Sequence, residues 1–214
     1  MGEVGYEDLV KPTDGLVSRY LNRRISTRIS MKLVRLRWKP SPDFLSVVSA
    51  TIVGAGGLFF AAGYSLAGGL LAQIGSILDG CDGEVARLLG KQSRGGALLD
   101  TVLDRFADIV LLYGLAVASI GYLGELLLVS LVVAAVSGDL MVSYIHGVGE
   151  KIAGRHPSLI GRVRGVASRD VRLFVVFLSG LLGRAYIGLV VVAILSLVYT
   201  VAKTWEVLGF LGEQ

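Results

Sequence analysis

The amino-acid sequence predicts an all-α fold: a polytopic membrane protein with about six transmembrane helices, preceded by an N-terminal amphipathic interfacial helix. Three observations predict it. Of 214 residues 53% are hydrophobic and only 18% charged, with a mean hydropathy of +0.68, a balance unlike that of a water-exposed globular domain. The apolar residues fall in runs close to the roughly 20 that one helical bilayer crossing needs. These runs are too long and too uniformly apolar for barrel strands, which alternate, so helices must satisfy the backbone in lipid. The 29 glycines agree, because small residues let helix backbones approach closely in a membrane.

Residues 1–40 read as an N-terminal arm with a juxtamembrane helix, and residues 41–214 as one membrane domain. In the arm, Val17, Leu21, Ile25, Ile29 and Leu33 recur every fourth position with arginines between them, the pattern of a basic helix with one apolar face. Asp14 or Thr13 stands where a cap is expected, and Pro40 and Pro42 end the segment. Such a helix lies on the bilayer surface; a solvated arm is the alternative. The apolar core and cleavage pattern of a signal peptide are missing. Candidate spans follow at residues 43–61, 65–88, 96–120, 123–144, 170–182 and 185–205. The fifth is short.

The loops set an orientation. Segments 19–39, 87–105 and 151–172 are basic, whereas the connections near Gly63, Gly121 and Gly183 carry almost no charge besides Glu125 and Arg184. Basic loops stay in the cytoplasm, so both termini are expected there, in agreement with an even number of spans. The net charge of +4 comes from blocks beside apolar runs, which suit anionic membrane lipids or a phosphorylated substrate and give no sign of nucleic-acid binding. The single Cys81 cannot form an internal disulfide, and it has no metal-site spacing to His146 or His156.

Against this background Asp79, Asp82, Asp100, Asp104 and Asp108 crowd into residues 78–108. Spacings of three and four put Asp79 with Asp82, and Asp100 with Asp104, on single helix faces. The short turn between these helices can bring all four acids to one place, at the cytoplasmic end of the spans. Each unpaired acid costs about 2.5–3.5 kcal/mol at bilayer depth, so cations must compensate them. Arg87 and Arg105 can pair some of the acids as a bland helix junction, but two arginines do not neutralise five aspartates. An all-carboxylate set without His or Cys suits Mg²⁺ or Mn²⁺, and two bridged ions suit phosphoryl chemistry. Small residues at Gly83, Ala86 and Gly96 let a ligand approach the backbone between the helices; small-residue helix packing explains Gly95 and Gly96 as well.

The run Asp79, Asp82, Gly83, Ala86, Arg87, Gly96, Asp100 and Asp104, at those spacings without a gap, resembles the signature of the CDP-alcohol phosphotransferases, a family with six membrane helices and an amphipathic N-terminal helix. The resemblance implies transfer of a substituted phosphate from a CDP-linked donor to an acceptor hydroxyl, with release of CMP. It implies that Asp79, Asp82, Asp100 and Asp104 hold two metal ions, Mg²⁺ or Mn²⁺, and that Asp104 is also the general base. Gly83, Ala86, Arg87 and Gly96 would shape the CDP pocket. Asp108 lies outside the signature and is expected to pair with Arg105 or a later arginine. The family and the glycine-rich spans also point to a homodimer.

For the acceptor, segment 146–174 gathers Lys151, Arg155, Arg162, Arg164, Arg169 and Arg172. Positive-inside bias alone accounts for such a loop. An acceptor bearing its own phosphate is the functional reading, with Lys151, Arg164, Arg169 and Arg172 as candidate ligands. The stretch "KPTDGLVSRYLNRRIS" resembles the junction in archaeal bifunctional enzymes that join a soluble nucleotidyltransferase to this membrane domain, one type making di-myo-inositol phosphate phosphate. That resemblance implies an inositol phosphate acceptor, with glycerol phosphate as the alternative, and a CDP-inositol or CDP-diacylglycerol donor. A soluble nucleotidyltransferase is then an expected partner, and the chain is either free-standing or an excised domain. From another class, a divalent-cation transporter also uses intramembrane aspartates, but along a path through the bilayer rather than at one end.

Overall fold

The computed structural model describes residues 9–35 and 39–213; residues 1–8 and 36–38 of the expected arm lie outside them. The described residues are helical with no strand ladder. A π-helical turn, Ser18–Asn22, runs into α1, Arg23–Arg35, and six further α-helices follow: α2 (Pro42–Ala61), α3 (Ser65–Leu88), α4 (Arg94–Ala118), α5 (Glu125–Ala153), α6 (Arg169–Leu181) and α7 (Ala185–Gly212). Their starts obey local chemistry. Ser41 caps α2 by accepting the Phe44 N–H at 3.2 Å, with Pro42 at the first helical position. Ser93 caps α4 through the Gly96 N–H at 2.9 Å. α5 ends at Gly154, whose φ of +64° is the left-handed stop that glycine adopts freely.

Among the described residues, α2, α5 and α7 are long and apolar enough to cross a membrane by themselves. α3 and α4 occupy expected span positions, but their acids and arginines lower their hydropathy. α6 has 13 residues, about 20 Å at 1.5 Å per residue, short of the roughly 30 Å hydrocarbon core.

α2 is central, packing against both α3 and α4, while α6 lies on α3 and α7 lies on α5. Glycine makes the α2–α4 crossing possible: a Cβ on Gly114 would stand 1.9 Å from the Gly57 carbonyl oxygen. The apolar core, including Val53, Phe60, Leu111, Leu115, Leu189 and Val192, sits in the middle of the bundle. The carboxylates lie at one end of it.

The N-terminal helix is held to the bundle by a polar face. Its inward face is polar, with Arg23, Ser26, Thr27 and Ser30 buried against α3, while Leu21 and Ile25 are 41% and 40% exposed. Ile29 and Leu33 join a small cluster with Leu45, Cys81 and Val85. The reason is Glu84 of α3, fully buried and bonded by Ser26, Thr27 and Ser30 hydroxyls at 2.6–3.1 Å and by Arg23 at 2.8 Å. A buried carboxylate demands such partners. Nor does Asp14 cap the helix: it pairs with Arg23 at 2.7 Å, and Asp170 from α6 accepts the Ser18 N–H at 2.5 Å.

Candidate active site

The C-terminal half of α3 and the first half of α4 converge with their acids facing one another. Asp79, Asp100 and Asp104 each offer an oxygen to one point, and these oxygens lie within 4.8 Å of one another. Asp100 Oδ1 is buried without a hydrogen-bond partner, a deficit that a cation relieves. A hard divalent ion therefore fits this donor set. Asp82 stands beside the three: its carboxylate accepts from the Ser46 hydroxyl of α2 and from the Gly83 N–H.

Arg169, the first residue of α6, enters the same cluster. Its Nη1 lies 2.9 Å from Asp79 Oδ1 and 2.8 Å from Asp104 Oδ1, and its Nε lies 3.0 Å from Asp108 Oδ1. Arg105 pairs with Asp108 at 3.3 Å and with Asp139 of α5 at 3.5 Å, and Arg172 pairs with Asp139 at 2.8 Å. Six carboxylates, with Asp82 and Asp100 included, thus meet three guanidiniums. The excess negative charge attracts further cations.

Beside the acids a cleft of about 510 Å³ opens between the start of α2, the end of α3 and the start of α4, within the usual range for small-molecule sites. Asp82, Gly83, Ala86 and Arg87 line one wall, and Gly96 and Asp100 another. Gly96 lies close to other side chains there: a Cβ would stand 2.9 Å from Asp43 Oδ1, which would have to shift.

The sequence model of the CDP-alcohol phosphatidyltransferases matches residues 40–210. The chain belongs to this family. Among curated members it is 43% identical over 171 residues to the bifunctional IPC transferase and DIPP synthase of Rubrobacter xylanophilus, covering 79% of this chain and 37% of that one. It is 30% identical over 166 residues to the archaetidylinositol phosphate synthase of Pyrococcus horikoshii, covering 78% and 82%. The chain spans less than half the length of the bifunctional relatives it matches. In fold it resembles the phosphatidylinositol phosphate synthase of Mycobacterium tuberculosis in complex with manganese and citrate, with a TM-score of 0.67, 24% identity and coverage of 86% and 88%. The same enzyme with CDP-DAG bound gives a TM-score of 0.67 at 23% identity, covering 86% and 94%.

Of the sequence-predicted residues, the structure brings Asp79, Asp100 and Asp104 to one point and sets Asp82, Gly83, Ala86, Arg87 and Gly96 along the adjoining cleft. Asp108 pairs with both Arg105 and Arg169. Arg169 and Arg172 are held by carboxylates, while Lys151 and Arg164 are exposed. Sequence reasoning passed over Asp139 and Glu84. A carboxylate inside an apolar run was the available signal for Asp139.

The loop before α6 is also fixed. Lys203 of α7 is fully buried and donates to the Ile160 carbonyl at 2.9 Å. Glu206 accepts the Arg162 and Val163 N–H groups at 2.7 and 3.0 Å. This clamp anchors the segment that carries Arg169 to the acids.

Proposed function

We propose that the protein transfers a substituted phosphate from a CDP-linked donor to the hydroxyl of an inositol phosphate acceptor, releasing CMP in a metal-dependent reaction. The observation that carries this reading is the convergence of Asp79, Asp100 and Asp104 beside a cleft lined by Gly83, Ala86, Arg87 and Gly96. The inositol-linked names of the relatives support the acceptor, and the manganese and CDP-DAG complexes of the mycobacterial enzyme support the metal and the donor class.

Asp79, Asp82, Asp100 and Asp104 are the residues to hold Mg²⁺ or Mn²⁺, as two ions. Bound there, the metal supplies Lewis-acid neutralisation of the diphosphate and of the leaving CMP. Asp104 accepts the acceptor's hydroxyl proton. The freed oxygen forms a bond to the donor alcohol's phosphorus, and the bond from that phosphorus to the bridging oxygen breaks, so CMP leaves with the bridging oxygen. Arg169 contacts Asp79 and Asp104 directly, so guanidinium and divalent ion are alternative counter-ions of the same carboxylates. Once displaced, Arg169 is free for the acceptor phosphate, with Arg172, Lys151 and Arg164 as further candidates.

In the same reading α2 to α7 form six spans with both termini and the site cytoplasmic. The exposed Leu21 of the π-helical turn and Ile25 of α1 rest on membrane lipid. Exposed apolar faces of α4 and α5, such as Phe106 and Val133, face lipid or the second copy of a homodimer. A nucleotidyltransferase, on this chain or another, supplies the donor.

Purified protein incubated with Mg²⁺, inositol phosphate and either CDP-inositol or CDP-diacylglycerol should release CMP, and Asp104→Asn should lose at least about 100-fold of that rate. No CMP from either donor overturns the reading, and parental CMP release by Asp104→Asn overturns the base assignment.

A further inference from the structure

We infer that Lys11 of the N-terminal arm is a phosphate-binding residue of the nucleotide cleft, acting with Arg87 on the diphosphate of the CDP-linked donor. The inference rests on the function proposed above and adds a residue outside the eight signature positions and outside the family match at 40–210.

Three observations carry it. Lys11 lines the cleft together with Arg87. Among the described residues its ammonium has no carboxylate within 4.0 Å. Arg87 is also under-used: Nη2 donates to the Leu9 carbonyl at 3.1 Å, while Nε is buried without a partner. Among the described residues two cations therefore border a cleft of nucleotide size with no carboxylate in contact with either, and an anion between them supplies the counter-charge. Partial burial and the nearby Arg87 and Arg23 guanidiniums outweigh the attraction of Asp14 and Asp82 and hold the Lys11 ammonium below its ordinary pKa, so an anion beside it is favoured.

The position of Lys11 is built, not incidental. Its N–H donates to Asp14 Oδ2 at 2.9 Å. Asp14 is gripped by Arg23 through Nε at 2.9 Å and Nη2 at 2.7 Å. Arg23 in turn bonds Glu84 at 2.8 Å, and Glu84 lies on α3 between Asp82 and Arg87. The helix that presents Asp82 and Arg87 to the cleft thus also fixes the backbone of Lys11. Lys91 and Arg94 border the cleft too, but no such chain of ion pairs ties them to α3.

The test measures binding of CDP and of cytidine by calorimetry to the full chain in detergent with Mn²⁺ present. Lys11→Gln should weaken CDP about tenfold or more and leave cytidine binding and the Mn²⁺ affinity within twofold of parental. Lys11→Arg should recover most of the loss, and Lys91→Gln should change CDP binding by less than about threefold. In the transfer assay Lys11→Gln should raise the donor KM with kcat near parental. A CDP affinity of folded Lys11→Gln within twofold of parental overturns the inference while the proposed function stands. Failure of the parental protein to bind CDP at all overturns both.

Discussion

Arg169 brings together two ordinarily separate roles. Its guanidinium touches Asp79, Asp104 and Asp108, so it neutralises the acids when no other cation does. An interaction made only without metal must compete with metal. Arg169→Gln should therefore bind Mn²⁺ more tightly than the parental protein, read by the free-ion signal in electron paramagnetic resonance. The metal-free variant should also unfold at lower temperature, because Asp79, Asp104 and Asp108 lose a buried counter-charge, and Mn²⁺ should restore more of the midpoint than in the parent. Unchanged or weaker Mn²⁺ binding would refute the competition. At this scale the sequence was informative where several charges at helical spacing broke an apolar run, as at Asp79 and Asp100, and less so for the lone Asp139. It was silent on the Arg169 contacts with Asp79 and Asp104, because ninety residues separate Asp79 from Arg169.

At the scale of the element, α1 shows how an apolar period marks a helix without saying which side packs on the protein. The apolar period of four marks a helix, and α1 forms. What packs inward is decided by Glu84, whose charge in a dry setting recruits Arg23 and three hydroxyls. Glu84→Gln removes the charge and one acceptor, and should loosen α1 by about 2–3 kcal/mol. Limited trypsin digestion should then cut faster at Arg24 and Arg28; parental digestion rates would show that other contacts hold the helix. Helix crossings were likewise half legible. Glycine abundance announced close packing, but the pairing of Gly57 with Gly114 depends on register between α2 and α4.

For the whole molecule, six carboxylates face three guanidiniums at one end of an apolar bundle, and on the proposed function stability should depend on divalent cations. A ligand at 100 times its Kd stabilises by about 2.7 kcal/mol. Chelation should thus lower the unfolding midpoint by about 5 °C or more and abolish CMP release, with Mg²⁺ or Mn²⁺ restoring both. An unchanged midpoint after chelation would show that Arg169 and its neighbours suffice.

By itself the sequence determined the helical class, the places of α2 to α7, the family and the acids with their adjoining glycines, because each is a local pattern or a fixed spacing. Only the tertiary structure decided that three of the acids meet at one point, that Asp139 joins the network, that Arg169 fills the counter-ion role and that Lys11 lines the cleft. Burial turns on which distant segments exclude water from a charge, and pairing turns on which opposite charge lies within reach; neither is written in spacing along one chain.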